Sequence, residues 1–204
     1  MTEWLGPLGN QSLNRGHPAT TPVRVNIAAL QQPFRPCDPE FIANVCHGAC
    51  CRSTVDPTGI AVVVTPAEAV RLRRRGATVD DETGRIAPQD RRCPFQSPET
   101  NLCTVHTDDE PLGCAISPFT INPTNTLIVR NRYRLLKCYK AEGAIPIAHA
   151  HRRSLELIFG AAATDVIVRA VDRGSDATLT FPVPNTIITM LHHKNTLSKP
   201  TEAP

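Results

Sequence analysis

Eight cysteines are the residues of this chain with the clearest capacity for chemistry. Three of them fall within residues 46–51, which read Cys-His-Gly-Ala-Cys-Cys. The others are spread more widely: Cys37 upstream, and Cys93, Cys103, Cys114 and Cys138 downstream. Thiols in such numbers can form disulfides, bind a metal as thiolates, or be ordinary buried side chains.

Disulfides are the less favoured explanation. Secreted disulfide scaffolds are usually short and carry Cys above roughly 8% of their residues, whereas this chain has 8 Cys in 204 residues. Cys50 and Cys51 are adjacent and pair badly, because a disulfide needs Cα atoms about 4.4–6.8 Å apart. The first residues show no basic region followed by an apolar run, so we expect a cytoplasmic protein. Ordinary burial explains one or two cysteines, Cys37 first, and a thiolate metal site is the favoured interpretation.

The spacing of the cysteines leaves the metal open between iron and zinc. Structural zinc sites usually contain a short knuckle with two ligands on one tight turn, but the chain has no C-x2-C and only the C-x3-C pair of Cys46 and Cys50. If this segment is helical, Cys51 points about 100° away from Cys50. Iron–sulfur clusters present several iron corners and tolerate such irregular spacing. The sequence therefore favours an iron–sulfur cluster, with zinc as the alternative.

The order of the motifs resembles a known family. Residues 46–51 are followed by Cys93-Pro94-Phe95, by Cys103-Thr104-Val105-His106, and by Cys114-Ala115-Ile116-Ser117-Pro118-Phe119. This order is similar to that of the zinc- or iron-chelating cysteine-cluster family, known as the CxxCxxCC or YkgJ-like family, which includes flagellin lysine N-methylase. The chain departs from the usual C-x2-C-x2-C-C opening, and His47 stands where a cysteine is common. An imidazole can also bind zinc or iron, so His47 is a further candidate beside a simple loop histidine.

The clustering and the resemblance together imply a shared metal site with seven ligands, while Cys37 is expected to be dispensable. The predicted metal ligands are Cys46, Cys50, Cys51, Cys93, Cys103, Cys114 and Cys138.

We predict an α+β fold with a small irregular cysteine-rich metal-binding core and short strands, packed on several helices. The proline-rich residues 1–36 are predicted to be poorly ordered. Residues 37–174 are predicted to form the cysteine-cluster domain with its C-terminal helices, and residues 175–204 an extension and tail. Short strands are expected at 23–30, 60–64 and 126–130.

Two helix starts precede or separate the cysteines. Asp38 with Pro39 begins a short helix that leads to Cys46. Thr65 and Glu68 form a capping box for a second helix, which ends at Gly76.

A longer helical pattern begins at Pro146. It is predicted to break near 160–164, to restart at Asp165 and to end at Gly174. Its apolar stripe is predicted to contain Leu155, Ile158, Phe159, Ala162 and Val166. His149 and His151 are two residues apart and cannot share a helix face, so no metal site is expected between them.

Several functional classes are excluded or left open. The sequence contains no dinucleotide or P-loop fingerprint and no zinc-protease or serine-hydrolase motif. Its apolar runs are too short to cross a membrane, and a formal charge of +3 is too small to indicate nucleic acid by itself. Basic residues at 71–75 and 131–137 could contact a protein or nucleic acid, although solvated positions are the simpler interpretation. One hypothesis is an oxidoreductase or a component of a methyl-transfer-like enzyme; the alternative is a structural zinc module that mediates protein or nucleic-acid interactions.

Overall fold

A computed structural model of the 204-residue chain describes residues 19–52, 62–106 and 108–196. The described residues form eight helices and six strands in two sheets, together with short π-helical and 3₁₀ turns. The α+β class predicted from the sequence is therefore confirmed.

The central sheet joins strands from both ends of the described chain. Its order is β3 (Phe119–Ile121), β4 (Thr126–Val129), β1 (Thr20–Asn26) and β6 (Thr178–Pro184). β1 runs antiparallel to β6 over its whole length and parallel to β4. Val23 and Val25 of β1 are completely buried while their neighbours are exposed or half-buried, the alternation expected of a strand with one face on a core.

Helices cover this sheet and the smaller β2–β5 pair. The small pair consists of β2 (Pro33–Phe34) and β5 (Ile145–Pro146), which are antiparallel. The helices in chain order are α1 (Ile27–Leu30), α2 (Pro39–Phe41), α3 (Pro66–Arg74), α4 (Leu112–Ala115), α5 (Ile147–Ala150), α6 (Arg152–Phe159), α7 (Ala161–Asp172) and α8 (Asn185–Thr196). In the described part of the chain, no helix combines the length and apolar content that crossing a bilayer would need.

The described residues form two separate apolar cores. The larger core is built from the central sheet and the helices around it, with Phe34, Phe119 and Leu155 among its fully buried residues. The smaller core contains Leu72 of α3 and Phe95, packed among the irregular turns of residues 62–105. Cysteines lie at the border of both cores.

The N-terminal part of the chain differs from the prediction. Residues 20–34 form β1, α1 and β2 and are not poorly ordered, because β1 is paired on both sides by distant strands. The predicted strand at 23–30 is correct only as far as Asn26, whose side chain accepts a hydrogen bond from the Ala29 N–H and starts α1. Residues 1–18 lie outside the described part, and the proposed domain boundaries stay predictions.

Local signals predicted other elements well. The capping box of Thr65 and Glu68 begins α3, Asp38 caps α2, and β4 lies within the strand predicted at 126–130. The strand predicted at 60–64 is not found: residues 60–61 fall outside the described residues, and in 62–64 only Val63 forms a bridge, an isolated one to Arg85, although Val62 and Val64 are buried.

The predicted apolar stripe after Pro146 is wrong in its second half. Leu155 and Ile158 of α6 are buried, but Ala162 and Val166 are exposed. Gly160 has φ +80° and separates α6 from α7, which already begins at Ala161 and not at Asp165. This break resets the helical phase, so that α7 buries a different stripe: Thr164, Ile167, Val168, Ala170 and Val171.

Candidate metal centre

The backbone of residues 33–51 brings Cys37, Cys46 and Cys50 close together. α2 continues into a π-helical turn, Ile42–Cys46, which ends in a reversal where His47 and Gly48 both adopt positive φ. A 3₁₀ turn, Ala49–Cys51, follows at once. Gly48 is required here because an added Cβ would lie 2.8 Å from the Asn101 carbonyl oxygen and clash with the Gln96 side chain. The reversal therefore folds Cys50 back towards Cys46.

Cys138 joins this place from the far end of the cysteine region. The Arg35 N–H donates to the Cys138 carbonyl at 2.8 Å, and the Lys140 N–H donates to the Pro33 carbonyl at 3.0 Å. These bonds align residues 138–140 with β2, so that Cys37, two residues beyond Arg35, lies beside Cys138.

A small cavity of about 20 Å³ lies between these thiols. This is close to the volume that one water molecule requires, roughly 10–15 Å³ as a minimum. Its walls also contain Ala49, Tyr133, Leu136 and His151. We call the four cysteines that line it the first thiol group: Cys37, Cys46, Cys50 and Cys138.

The remaining four cysteines gather on the other side of Cys50. The Cys93 N–H donates to the Cys51 carbonyl at 2.9 Å, and Gln96 forms an antiparallel bridge with Cys103. Cys93 and Cys103 pack against the smaller core together with Cys114 of α4. We call these residues the second thiol group: Cys51, Cys93, Cys103 and Cys114.

Glu68 links α3 to the second thiol group. Its carboxylate is buried and accepts the N–H groups of Thr65 and Leu112, each at 2.7 Å. The first bond closes the capping box of α3, and the second holds the start of α4, which carries Cys114.

The two thiol groups meet at Cys50 and Cys51, whose Sγ atoms are 3.9 Å apart. Either thiol can donate in this contact, which lowers the pKa of Cys50 and raises the pKa of Cys51. The nearby charge of Arg132 also favours the Cys50 thiolate. The remaining thiols with shifted pKa values are raised chiefly by burial: to about 12 for Cys37, to about 11 for Cys93 and Cys138, and upwards for Cys103.

Charge interactions connect the thiols within and between the groups. Negative charge on Cys46, Cys50 and Cys138 contributes to the raised pKa of Cys37, although the Cys37 residue as a whole is exposed. Charge on Cys114 and Cys93 acts in the same way on Cys51. Cys50 lies within reach of both groups, because its charge also raises the pKa values of Cys93 and Cys103.

The donor set suits a thiophilic metal, although the side chains do not surround a common point. Among the described residues, no three Cys, His, Asp or Glu side chains are placed as the ligands of a single ion. Thiolates are ligands of zinc and of iron in iron–sulfur sites. The cysteines predicted from the sequence thus lie in two neighbouring groups rather than in one compact ring.

The model of one protein family matches residues 37–138, which is half of the chain. The chain belongs to the CxxCxxCC family. The family is described as a "putative zinc- or iron-chelating domain", and the match begins at Cys37 and ends at Cys138, both of the first thiol group. No curated protein and no solved structure matches the chain. The resemblance drawn from the motifs is confirmed, and the family assignment supports metal binding.

Two half-buried arginines, each with buried guanidinium nitrogens, accompany the CxxCxxCC thiols, a feature that the sequence did not reveal. Arg132 lies near Cys50 and Cys51, and Arg130 lies near Cys114. Among the described residues, no acceptor meets Nε of Arg132 or Nε and Nη2 of Arg130. Buried cations need negative partners, and metal-bound thiolates would supply the negative charge.

The segment around these arginines is therefore not the solvated strand edge that the sequence suggested. Asn131–Leu135 is a 3₁₀ turn, and Tyr133 at its centre is buried in the larger core. The Arg132 guanidinium lies 5.2 Å from the centre of the Tyr133 ring. Two of the basic side chains thus lie near the thiols, whereas Arg134 and Lys137 are exposed.

The histidines have separate roles. The His151 ring lines the first cavity and meets Phe34 and Phe119 edge-on, and burial lowers its pKa to about 4. His149 instead pairs with Asp172 at 2.7 Å. His47 is held by its Nδ1, 2.9 Å from the Ala43 carbonyl oxygen. The position of His151 depends on the meeting of α5, β2 and β3, so no local pattern could have revealed it.

Proposed function

We propose that this CxxCxxCC protein binds zinc or iron through the thiolates of Cys46, Cys50, Cys51, Cys93, Cys103, Cys114 and Cys138. The observation that carries the proposal is the cavity of about 20 Å³ between cysteines from two distant parts of the chain, residues 37–50 and Cys138. Thiols gathered at such a cavity, with the charge of Arg132 near Cys50, suit a metal ion that binds them as thiolates.

Single ions are the better-supported occupants. The cavity has room for about one atom of water size, whereas an iron–sulfur cluster brings several irons and sulfides. A tetrahedral ion with four thiolate ligands has no open position, which is typical of structural zinc sites. On this basis the domain is a structural metal module that presents a folded surface to a protein or nucleic acid.

An iron–sulfur cluster is the second candidate. It is favoured by the adjacent thiols of Cys50 and Cys51, 3.9 Å apart, since a cluster can accept neighbouring ligands at different iron corners. An oxidoreductase or a component of a methyl-transfer-like enzyme would fit this version, in line with the resemblance to the flagellin lysine N-methylase branch.

Metal analysis after anaerobic purification tests both versions. The proposal predicts bound zinc or iron, and Cys50→Ser and Cys51→Ser should each lower the metal content. His149→Gln is the control, because His149 pairs with Asp172 away from the thiols. Iron with acid-labile sulfide and a brown colour would select the cluster, and colourless protein with zinc would select the structural module. Protein that never retains metal would contradict the proposal.

A further inference from the structure

We propose that the eight cysteines form two separate four-thiolate sites, with one metal ion in the first thiol group and another in the second. This inference rests on the proposed metal binding and adds two things to it. It assigns Cys37 as a ligand, and it places the adjacent Cys50 and Cys51 on different ions.

Cys37 belongs to the first site on geometric grounds. It lines the same cavity as Cys46, Cys50 and Cys138. The pairing of β2 with residues 138–140 fixes its position, because the Arg35 N–H binds the Cys138 carbonyl at 2.8 Å. With Cys37 included, the cavity has four thiols, the number that closes a tetrahedral site.

The second thiol group has its own supports, separate from that cavity. Cys93 is bound through its N–H to the Cys51 carbonyl at 2.9 Å, and the Gln96–Cys103 bridge folds the next turn back. Cys93, Cys103 and Cys114 all pack on the smaller core. Cys51 shares a turn with Cys50, and the other three come from loops that contribute no thiol to the first group; the second group thus also has four thiols.

The 3₁₀ turn Ala49–Cys51 explains how neighbouring residues can serve two ions. A 3₁₀ helix has three residues per turn, so successive side chains diverge by about 120°. Cys50 lines the first cavity, while the electrostatic neighbours of Cys51 include Cys114 and Cys93. The turn thus gives the two thiols different neighbours, and their Sγ atoms, 3.9 Å apart, lie where the two proposed sites meet.

Two nearby arginines can offset the negative charge that two thiolate sites would bring. A divalent ion with four thiolates is a negatively charged centre, and two such centres in one small domain repel each other. Arg132 lies near both Cys50 and Cys51, where the two sites meet, and Arg130 lies near Cys114 of the second group. Their buried, unpaired N–H groups in the described part of the chain can offset this negative charge and donate to thiolate sulfur.

Metal content per chain of single-cysteine variants is the test, with protein loaded with Zn²⁺. The native chain should retain about two ions. Cys37→Ser and Cys138→Ser should each reduce this to about one, and Cys103→Ser and Cys114→Ser should do the same. Combining Cys37→Ser with Cys103→Ser should remove both. His149→Gln is the control and should retain two, because His149 pairs with Asp172 away from the thiols.

The outcomes separate this inference from the proposed function. If the native chain holds metal that every single variant loses completely, there is one shared site and the two-site inference is overturned, while metal binding stands. Full retention of two ions by Cys37→Ser would overturn the ligand set of the first site. No metal in the native chain would overturn the proposed function itself.

A titration of the native chain with Co²⁺ guards against variants that fail to fold. Tetrahedral cobalt–thiolate absorption should rise in proportion to added metal until about two equivalents are bound. Saturation at one equivalent would contradict two sites.

Discussion

The two thiol groups border apolar cores of very different size. The first borders the larger core, in which 25 described residues are buried across the sheet and helices. The second borders a core of nine buried residues, where α3 is the one helix longer than a single turn in the described residues 62–115. Since buried apolar area is the main source of stability, the first group is positioned by the protein, and the second depends more on the metal it would bind.

The largest effect that this comparison predicts follows metal removal. A ligand at about 100 times its Kd contributes about 2.7 kcal/mol, so chelation should lower amide protection in residues 62–106 by about 100-fold. Protection in α7, Ala161–Asp172, should change little. Hydrogen exchange on the metal-loaded and metal-free protein measures both. Equal loss in both regions would break the comparison.

A matched pair of leucines tests the difference between the two cores more sharply. Leu155 of the larger core and Leu72 of the smaller core are almost completely buried. Leu155→Ala should lower the free energy of global unfolding by about 2–5 kcal/mol, whether or not metal is present. Leu72→Ala should act locally, weakening Zn²⁺ retention by the second thiol group while leaving global unfolding less affected. Denaturation followed by helical circular dichroism, with chelator competition, distinguishes the two; the reverse pattern would count against the account.

Two glycines with positive φ give a smaller contrast. Gly160→Ala, between α6 and α7, meets no atom within 4 Å, so it carries only backbone strain, about 1–3 kcal/mol. Gly48→Ala adds contact with Gln96 and with the Asn101 carbonyl, a further cost of about 1–3 kcal/mol. We expect only Gly48→Ala to reduce Zn²⁺ binding, measured as metal per folded chain. Normal binding by Gly48→Ala would show that the reversal after Cys46 is not needed.

The smallest effect concerns an ion pair on the helices of the larger core. Arg152 forms an ion pair with Asp165 and lowers the carboxyl pKa below its ordinary value of 3.8. A carboxyl with a lowered pKa in the folded state contributes stability above the unfolded pKa and loses it as the pH falls through the folded value. Asp165→Asn should therefore slightly reduce stability near neutral pH and have no effect at the acid end. The pair is exposed, so the difference should shrink in high salt; a difference that persists at low pH would contradict the assignment.

Sequence reasoning succeeded where the signal was local. The capping box at Thr65 and Glu68 and the cap at Asp38 depend on residues three positions apart, and both were correct. It failed where distant chain segments meet. β1 is ordered because it pairs with β6, more than 150 residues later, and no pattern within residues 1–36 carries that information.

The candidate site shows the same contrast between local signals and contacts of distant segments. The family motifs identified the cysteines, but they do not show that Cys46, Cys50 and Cys138 border the larger core while Cys93, Cys103 and Cys114 border the smaller one. Cys37 was expected to be dispensable because it stands apart in the sequence, yet the β2 pairing brings it beside Cys138. Arg132 and His151 were missed for the same reason, since their neighbours among the thiols are distant in the chain.

X-ray absorption at the edge of the bound metal tests the central claim most directly. With both thiol groups loaded with Zn²⁺, the account predicts about four sulfur neighbours at about 2.3 Å from each ion, with no nitrogen or oxygen ligand. A first shell rich in nitrogen or oxygen would contradict thiolate binding by these cysteines.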